Sequence, residues 1–144
     1  MLVQQILKAK GDDGVVTVQP GIEISEVAKI LAERRIGGVV VSADGKAPDG
    51  IISERDIVRA LAVKGAVCMS DKVEDLMTRN PVCCTKDNTA DEVLTRMTDG
   101  RFRHMPVVAD GALVGIVTIG DVVKARLQEL SMERNALEGM IMGH

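Results

Sequence analysis

The sequence predicts an α/β fold built from two β-α-β-β-α repeats. Three observations carry that reading. Two stretches of the chain are alike at a spacing of 66 residues, with Val27 standing where Val93 stands; each holds a segment with apolar residues at helical spacing; and each ends in Gly-x-x-Ser/Thr-x-x-Asp, set between a β-rich run and an apolar helix.

A chain of 144 residues with 46% hydrophobic content can bury one core of two similar lobes. It opens on a short amphipathic segment carrying Val3, Ile6 and Leu7. The first strands of the repeats are Val16 to Pro20 and Val82 to Lys86. The stripe Ile24, Val27, Ala28, Leu31 and its counterpart Ala90, Val93, Leu94, Met97 follow the i, i+3, i+4, i+7 spacing of amphipathic helices. Val39 to Val41 and Pro106 to Val108 are too short and too β-branched for helices. The second of these runs ends at Asp110-Gly111, a hairpin signal, and the first at a longer loop from Asp44 to Gly50. The next strands, Ile51-Ile52 and Leu113 to Val117, lead into helices beginning near Asp56 and Asp121.

Gly65 is placed to stop the first of these helices, and a linker over Val67 to Asp71 leads to a helical turn from Val73 to Met77 and to Asn80-Pro81. The last helix runs on through Val123, Leu127, Leu130, Leu137 and Ile141, interrupted by Arg134. That stripe is long for one lobe and suits either a partner subunit or a return onto its own lobe. The expected organisation is residues 1–66 for the lead helix and first repeat, 67–127 for linker and second repeat, and 128–144 for a helical extension at a dimer contact.

Composition narrows function. Phe102 is the sole aromatic, which removes the stacking platforms of single-strand nucleic-acid binders. Eighteen basic against 21 acidic residues give a net charge of −3 with no basic block, so a nucleic-acid partner is not expected. No apolar run nears the ~20 residues of a membrane span, and the N-terminus lacks the features of a signal peptide, so a cytoplasmic chain with no membrane partner is expected. Cys68, Cys83 and Cys84, an odd number, fit small buried hydrophobes better than a disulfide framework; a metal site from Cys83, Cys84 and His104 is awkward because neighbouring strand residues point to opposite faces. No phosphate loop, dinucleotide fingerprint or nucleophile-base pair is present, so no enzyme is expected.

The twin motif in its repeated setting resembles a pair of cystathionine β-synthase (CBS) domains, or Bateman module, over roughly Val15 to Leu127. The resemblance implies two repeats packed by their sheets about a pseudo-twofold axis, with clefts between them that hold adenine nucleotides or related adenosyl ligands. A carboxylate suits the ribose diol because its two oxygens can accept both hydroxyl protons, which nominates Asp56 and Asp121. Ser53 and Thr118, at the strand-to-helix turns, are placed to meet a phosphate at a helix N-terminus. The same spacing is also close to that of a capping box, which would need no ligand.

Basic residues favour a phosphate: Arg55 in the first turn, and Arg103 with His104 at the entrance to the strand that continues through Met105 and Pro106. Arg59 and Arg101 are read as solvated surface. The resemblance further implies a backbone contact to the base at Gly38 and Val39, and positions around base and ribose at Thr17 and Cys83. Gly37 and Gly38 stand where the second repeat has Arg103 and His104, and Gly120 where the first has Arg55, so unequal sites are expected. The function these features imply is a homodimeric regulatory module sensing AMP, or else ATP, ADP, NAD(H) or S-adenosylmethionine, and signalling to an effector protein. The alternatives are a ligand-free dimerisation module and a nucleotide-processing enzyme.

Overall fold

Helices form where apolar residues return every three or four positions, and strands where β-branched residues run together. The computed structural model describes residues 1–11 and 15–142. The elements in chain order are α1 (Val3–Lys10), β1 (Thr17–Val18), α2 (Ile24–Arg34), β2 (Gly38–Val41), β3 (Gly50–Ser53), α3 (Glu54–Lys64), a 3₁₀ helix (Gly65–Ser70), α4 (Val73–Leu76), β4 (Thr78–Arg79), α5 (Ala90–Gly100), β5 (His104–Ala109), β6 (Ala112–Thr118) and α6 (Ile119–Ile141). The expected linker is therefore ordered as a 3₁₀ helix after Gly65, and Cys68 within it is fully buried.

The first repeat carries a sheet in the order β1-β2-β3-β4, parallel at β1-β2 (Thr17 opposite Val40) and antiparallel beyond it (Gly38 opposite Ser53, Gly50 opposite Arg79). The second has the hairpin β5-β6, turned at Asp110 and Gly111, whose φ angles of 52° and 77° are both left-handed. Its expected first strand shrinks to one parallel bridge, Cys84 to Val107. Cys84 N–H donates to Pro106 O (3.0 Å) and Val108 N–H to Cys84 O (2.9 Å). Pro106 stands where the first repeat has Val40, and without an N–H it cannot extend the ladder back toward Val82.

The cores do not follow the boundary between residues 66 and 67. Val3 and Ile6 of α1 are buried with Ala90, Val93, Met97, Met105, Val117 and Val122 of the second repeat. Val73 of α4, from the linker, is buried with Ile24, Val27, Leu31 and Ile52 of the first. The exchange is reciprocal: Val3 N–H donates to Asn88 O and Ala90 N–H to Met1 O, just as Val73 N–H donates to Ile22 O and Ile24 N–H to Asp71 O. Two glycines make room for it. A Cβ on Gly115 would meet Leu7 at 2.7 Å, and one on the equivalent Gly50 would collide with the Met77 side chain.

The repeats meet through their sheets, as the resemblance implies. Residues alternate along β2 and β5, so Val39 and Met105 enter the two cores while Gly38 and His104 face the other repeat. Leu113 N–H donates to Lys46 O (2.7 Å) across the same boundary. Beyond Glu129, whose carboxylate pairs with the N-terminal amine of Met1, α6 does not fold back onto its lobe: Leu137 and Ile141 remain 60% and 84% exposed.

Candidate functional site

Each Gly-x-x-Ser/Thr-x-x-Asp turn is a helix N-cap. Ser53 precedes α3, and its Oγ accepts from Asp56 N–H (3.4 Å) while Asp56 Oδ2 accepts from Ser53 N–H (2.8 Å) and from Ser53 Oγ (3.0 Å). Thr118 precedes α6, with Oγ1 accepting from Asp121 N–H (3.2 Å) and Asp121 Oδ2 accepting from Thr118 N–H (2.9 Å). Both turns are thus capping boxes. The start of each helix is also tied to the strand entrance of its own repeat, by Glu54 N–H to Gly37 O (2.8 Å) and Ile119 N–H to Arg103 O (2.9 Å).

The clefts form crosswise, each joining the turn of one repeat to the strand entrance of the other. The first, about 270 Å³, brings Ser53, Arg55 and Asp56 together with Arg101, Phe102, Arg103 and His104. The second, about 640 Å³, sets Thr118 against Arg34, Arg35, Gly37 and Gly38, with Lys10 and Val16 completing the wall. The basic residues expected in separate repeats therefore converge on one cavity. Arg59 and Arg101 belong to it as well, and are not merely solvated surface.

His104 is the wall between the clefts and lines both. A Cβ on Gly38 would lie 3.1 Å from His104 Cδ2 and Nε2, so the absent side chain of Gly38 is what admits the ring. Burial pushes the His104 pKa below its ordinary value, against the opposing pull of the Glu54 and Asp56 carboxylates; Lys10 lowers it further and Asp121 opposes. A neutral imidazole can offer a phosphate one N–H but no charge.

The equivalent carboxylates have different surroundings. Asp56 lines the first cleft, and among the described residues no ion pair reaches it. Asp121 does not line the second cleft. Lys10 Nζ holds its Oδ2 at 2.8 Å, donates to Ile116 O at 2.9 Å, and itself faces the cavity. Burial works to raise the Asp121 carboxyl, but the hydrogen bonds from Lys10 and Thr118 outweigh it and hold the group below its ordinary value.

Five other expected residues lie outside these cavities. Thr17 and Cys83 are half-buried, and it is the preceding residues, Val16 and Val82, that line the clefts. The Cys83 thiol donates instead to Pro81 O (3.3 Å). Val39 and Met105 are fully buried on the core face of their strands, and Pro106 is buried on the opposite face. Any contribution from these to a ligand is through backbone or support. Burial raises the Cys84 thiol to about 11, leaving it an unreactive apolar filler at neutral pH. Sequence reasoning missed Lys10, Arg34, Arg35 and Phe102. Phe102 carried one available signal, as the only aromatic in the chain and next to the expected Arg103.

These paired clefts in a twice-repeated α/β unit define a class of tandem-repeat module. The chain matches the CBS domain family over residues 11–63 and again over 73–128, and it belongs to that family as a tandem pair. A CBS-domain-containing protein of Agrobacterium tumefaciens is similar in structure, with a TM-score of 0.82 at 48% identity over 88% of this chain and 99% of that one. The CBS domain protein of Pyrobaculum aerophilum complexed with AMP gives 0.77 at 27% identity, over 92% and 99%. The CBS domain pair of protein MJ0100, in complex with 5′-methylthioadenosine and S-adenosyl-L-methionine, gives 0.75 at 31% identity, over 87% and 98%.

Proposed function

We propose that this chain is a regulatory module that binds an adenosyl ligand, AMP in the first instance, in the first cleft. The observation that carries this is the convergence there of Asp56, a carboxylate with no ion pair among the described residues, with four arginines. A ribonucleotide needs an acceptor pair for its diol and cations for its phosphate. Asp56 Oδ1 has no partner among the described hydrogen bonds, and Asp56 lines the cavity, so the carboxylate keeps capacity to accept from a diol there. Arg55 and Arg103 approach from opposite repeats, and guanidinium pairs with phosphate bidentately. Phe102 adds an apolar face for a base. The complexes of similar proteins with AMP and with adenosyl ligands support this chemistry.

A thermal-shift titration tests it: AMP at ~100 times its dissociation constant adds about 2.7 kcal/mol of stability. Asp56→Ala should abolish most of that gain. Equal gain in the variant would show that Asp56 is only a helix cap, and AMP consumed during the titration would establish an enzyme instead.

The apolar faces of α3 and α6 support a homodimer. Val58 and Val123 occupy equivalent positions and are 62% and 41% exposed, and the stripe continues through Leu127 and Leu130. Exposed apolar stripes of this extent on a soluble chain mark contact surfaces. Signalling then consists of a ligand-dependent change in the packing of two chains or in their hold on an effector protein. Leu127→Glu with Leu130→Glu should shift the sedimentation coefficient to that of a monomer; a monomeric parent chain would overturn the assignment.

A further inference from the structure

We infer that Lys10 is the specificity-determining residue of the second cleft, barring a ribose diol from it, so that the chain takes one adenine mononucleotide rather than two. The inference rests on the function proposed for the first cleft, which supplies the probe.

The pseudo-twofold relation makes Asp121 the equivalent of Asp56, and both carboxylates accept the backbone N–H of their capping partner through Oδ2. Among the described residues, only Asp121 of the two has a cation on it. The ammonium of Lys10 reaches in from the last turn of α1, 2.8 Å from Oδ2, and a second contact, to Ile116 O, fixes the side chain along β6. The result is a substitution in the cavity wall. Where the first cleft presents a carboxylate, the second presents the ammonium of Lys10, and Asp121 faces the shallow space behind it beside Ile6, Ala9 and Ala125.

A diol donates hydrogen bonds, and an ammonium has no lone pair to accept them. A nucleotide entering the second cleft in the orientation of the first would have to break a partly buried ion pair, with side chains 33% and 23% exposed, before reaching its acceptor. The first cleft has no cation at the equivalent place: the offset of 70 that relates Val3 to Val73 and Leu7 to Met77 sets the uncharged Asn80 where the second cleft has Lys10, and Asn80 lines the first cleft.

The test is the number of AMP molecules bound per folded chain, by isothermal titration, with amide chemical shifts assigning each site: Ser53 and Arg55 report on the first cleft, Gly38 and Thr118 on the second. Lys10→Met keeps most of the aliphatic stem and removes the charge. It should add about one equivalent of AMP, with new shifts at Gly38 and Thr118, and Asp121→Asn in that background should remove the added site. Lys10→Arg, which keeps the cation, should bind as the parent does. Circular dichroism of each variant confirms that the lobe is folded.

A Lys10→Met protein that gains no site overturns the inference, as does a parent chain that already binds AMP at Thr118 with unchanged affinity in Lys10→Met. Failure of the functional reading looks different: no AMP at Ser53 and Arg55 in the parent. In that case the gain or absence of a site at Thr118 in Lys10→Met still decides the role of Lys10.

Discussion

In the first cleft the capping carboxylate of Asp56 opens onto a cavity with Arg55 and Arg103 at hand; in the second, the equivalent carboxylate of Asp121 is held behind Lys10. The backbone at the two turns is the same. Ser53 and Thr118 cap their helices with φ angles of −118° and −104°, and the N–H at each helix start donates to a carbonyl at its own strand entrance. The difference comes from side chains contributed by other segments. Arg103 and His104 reach the first cleft from the second repeat, and Lys10 reaches the second from α1. A repeat fixes the geometry of two sites, while crosswise assembly lets each evolve its own charge.

The same contrast runs through the cores, and there it has the largest expected energetic effect. The first core places Ile24 at the start of its helix where the second has Ala90, and the second compensates with Met97 and Met105 in place of Leu31 and Val39. All but Leu31, itself nearly buried, are at most 1% exposed. Ile24→Ala should therefore leave a cavity and cost about 2–5 kcal/mol in urea unfolding. A cost under ~1 kcal/mol would mean that the first core relaxes to the packing of the second.

Next in size is the contact between clefts. Gly38 does not have a left-handed φ, so alanine suits its backbone, and the penalty of Gly38→Ala must come from its 3.1 Å approach to the His104 ring. About 1–3 kcal/mol is expected for such overpacking. His104→Gly should relieve most of it, giving strong coupling in a double-mutant cycle. Additive effects would show that the ring and Gly38 are not in register.

Smaller again are the caps. Ser53→Ala and Thr118→Ala should each cost about 1 kcal/mol without ligand, because each removes one side-chain acceptor from a helix N-terminus. With AMP present, only Ser53→Ala should lose further stability. Equal losses at the two positions would erase the functional distinction between the turns.

Much of this architecture was legible because local rules agree with the fold. The stripes of Ile24 to Leu31 and Ala90 to Met97 became α2 and α5, and Asp110-Gly111 became the hairpin turn. The twin turns were recognisable too, although their crosswise use was not. Spacing along one repeat groups Asp56 with Gly38, whereas the pseudo-twofold packing sets it against Arg101 and Arg103. Lys10 was hidden for the same reason: its partner Asp121 lies 111 residues away, and an isolated lysine at the end of an amphipathic helix carries no signal of that pairing. Thr17, Cys83, Val39 and Met105 were nominated by position in the repeat, and strand alternation directs the last two into the cores.

The smallest expected effect is a pH dependence that separates the two walls of the second cleft. His104 has a pKa lowered in the fold, chiefly by burial, from an unfolded value near 6.5. The unfolded chain then binds the extra proton first, so the stability associated with a neutral ring is present above that pH and is lost as the pH falls below it. Asp121 also has a lowered folded value, but against an unfolded value near 3.8, so its contribution persists to a lower pH and is lost as the pH falls through the folded value. Stability measured from pH 7.5 downward should thus decline in two windows. His104→Gln should flatten the upper one alone, whereas Lys10→Met should mainly flatten the lower one, because burial of Asp121 then acts with only Thr118 to oppose it, and slightly flatten the upper, because Lys10 also lowers the His104 pKa. If Lys10→Met instead flattens the upper window more than the lower, the positive charge of Lys10 is acting mainly on the His104 ring, and the wall it builds in the second cleft is an electrostatic partner of the imidazole before it is a guard on Asp121.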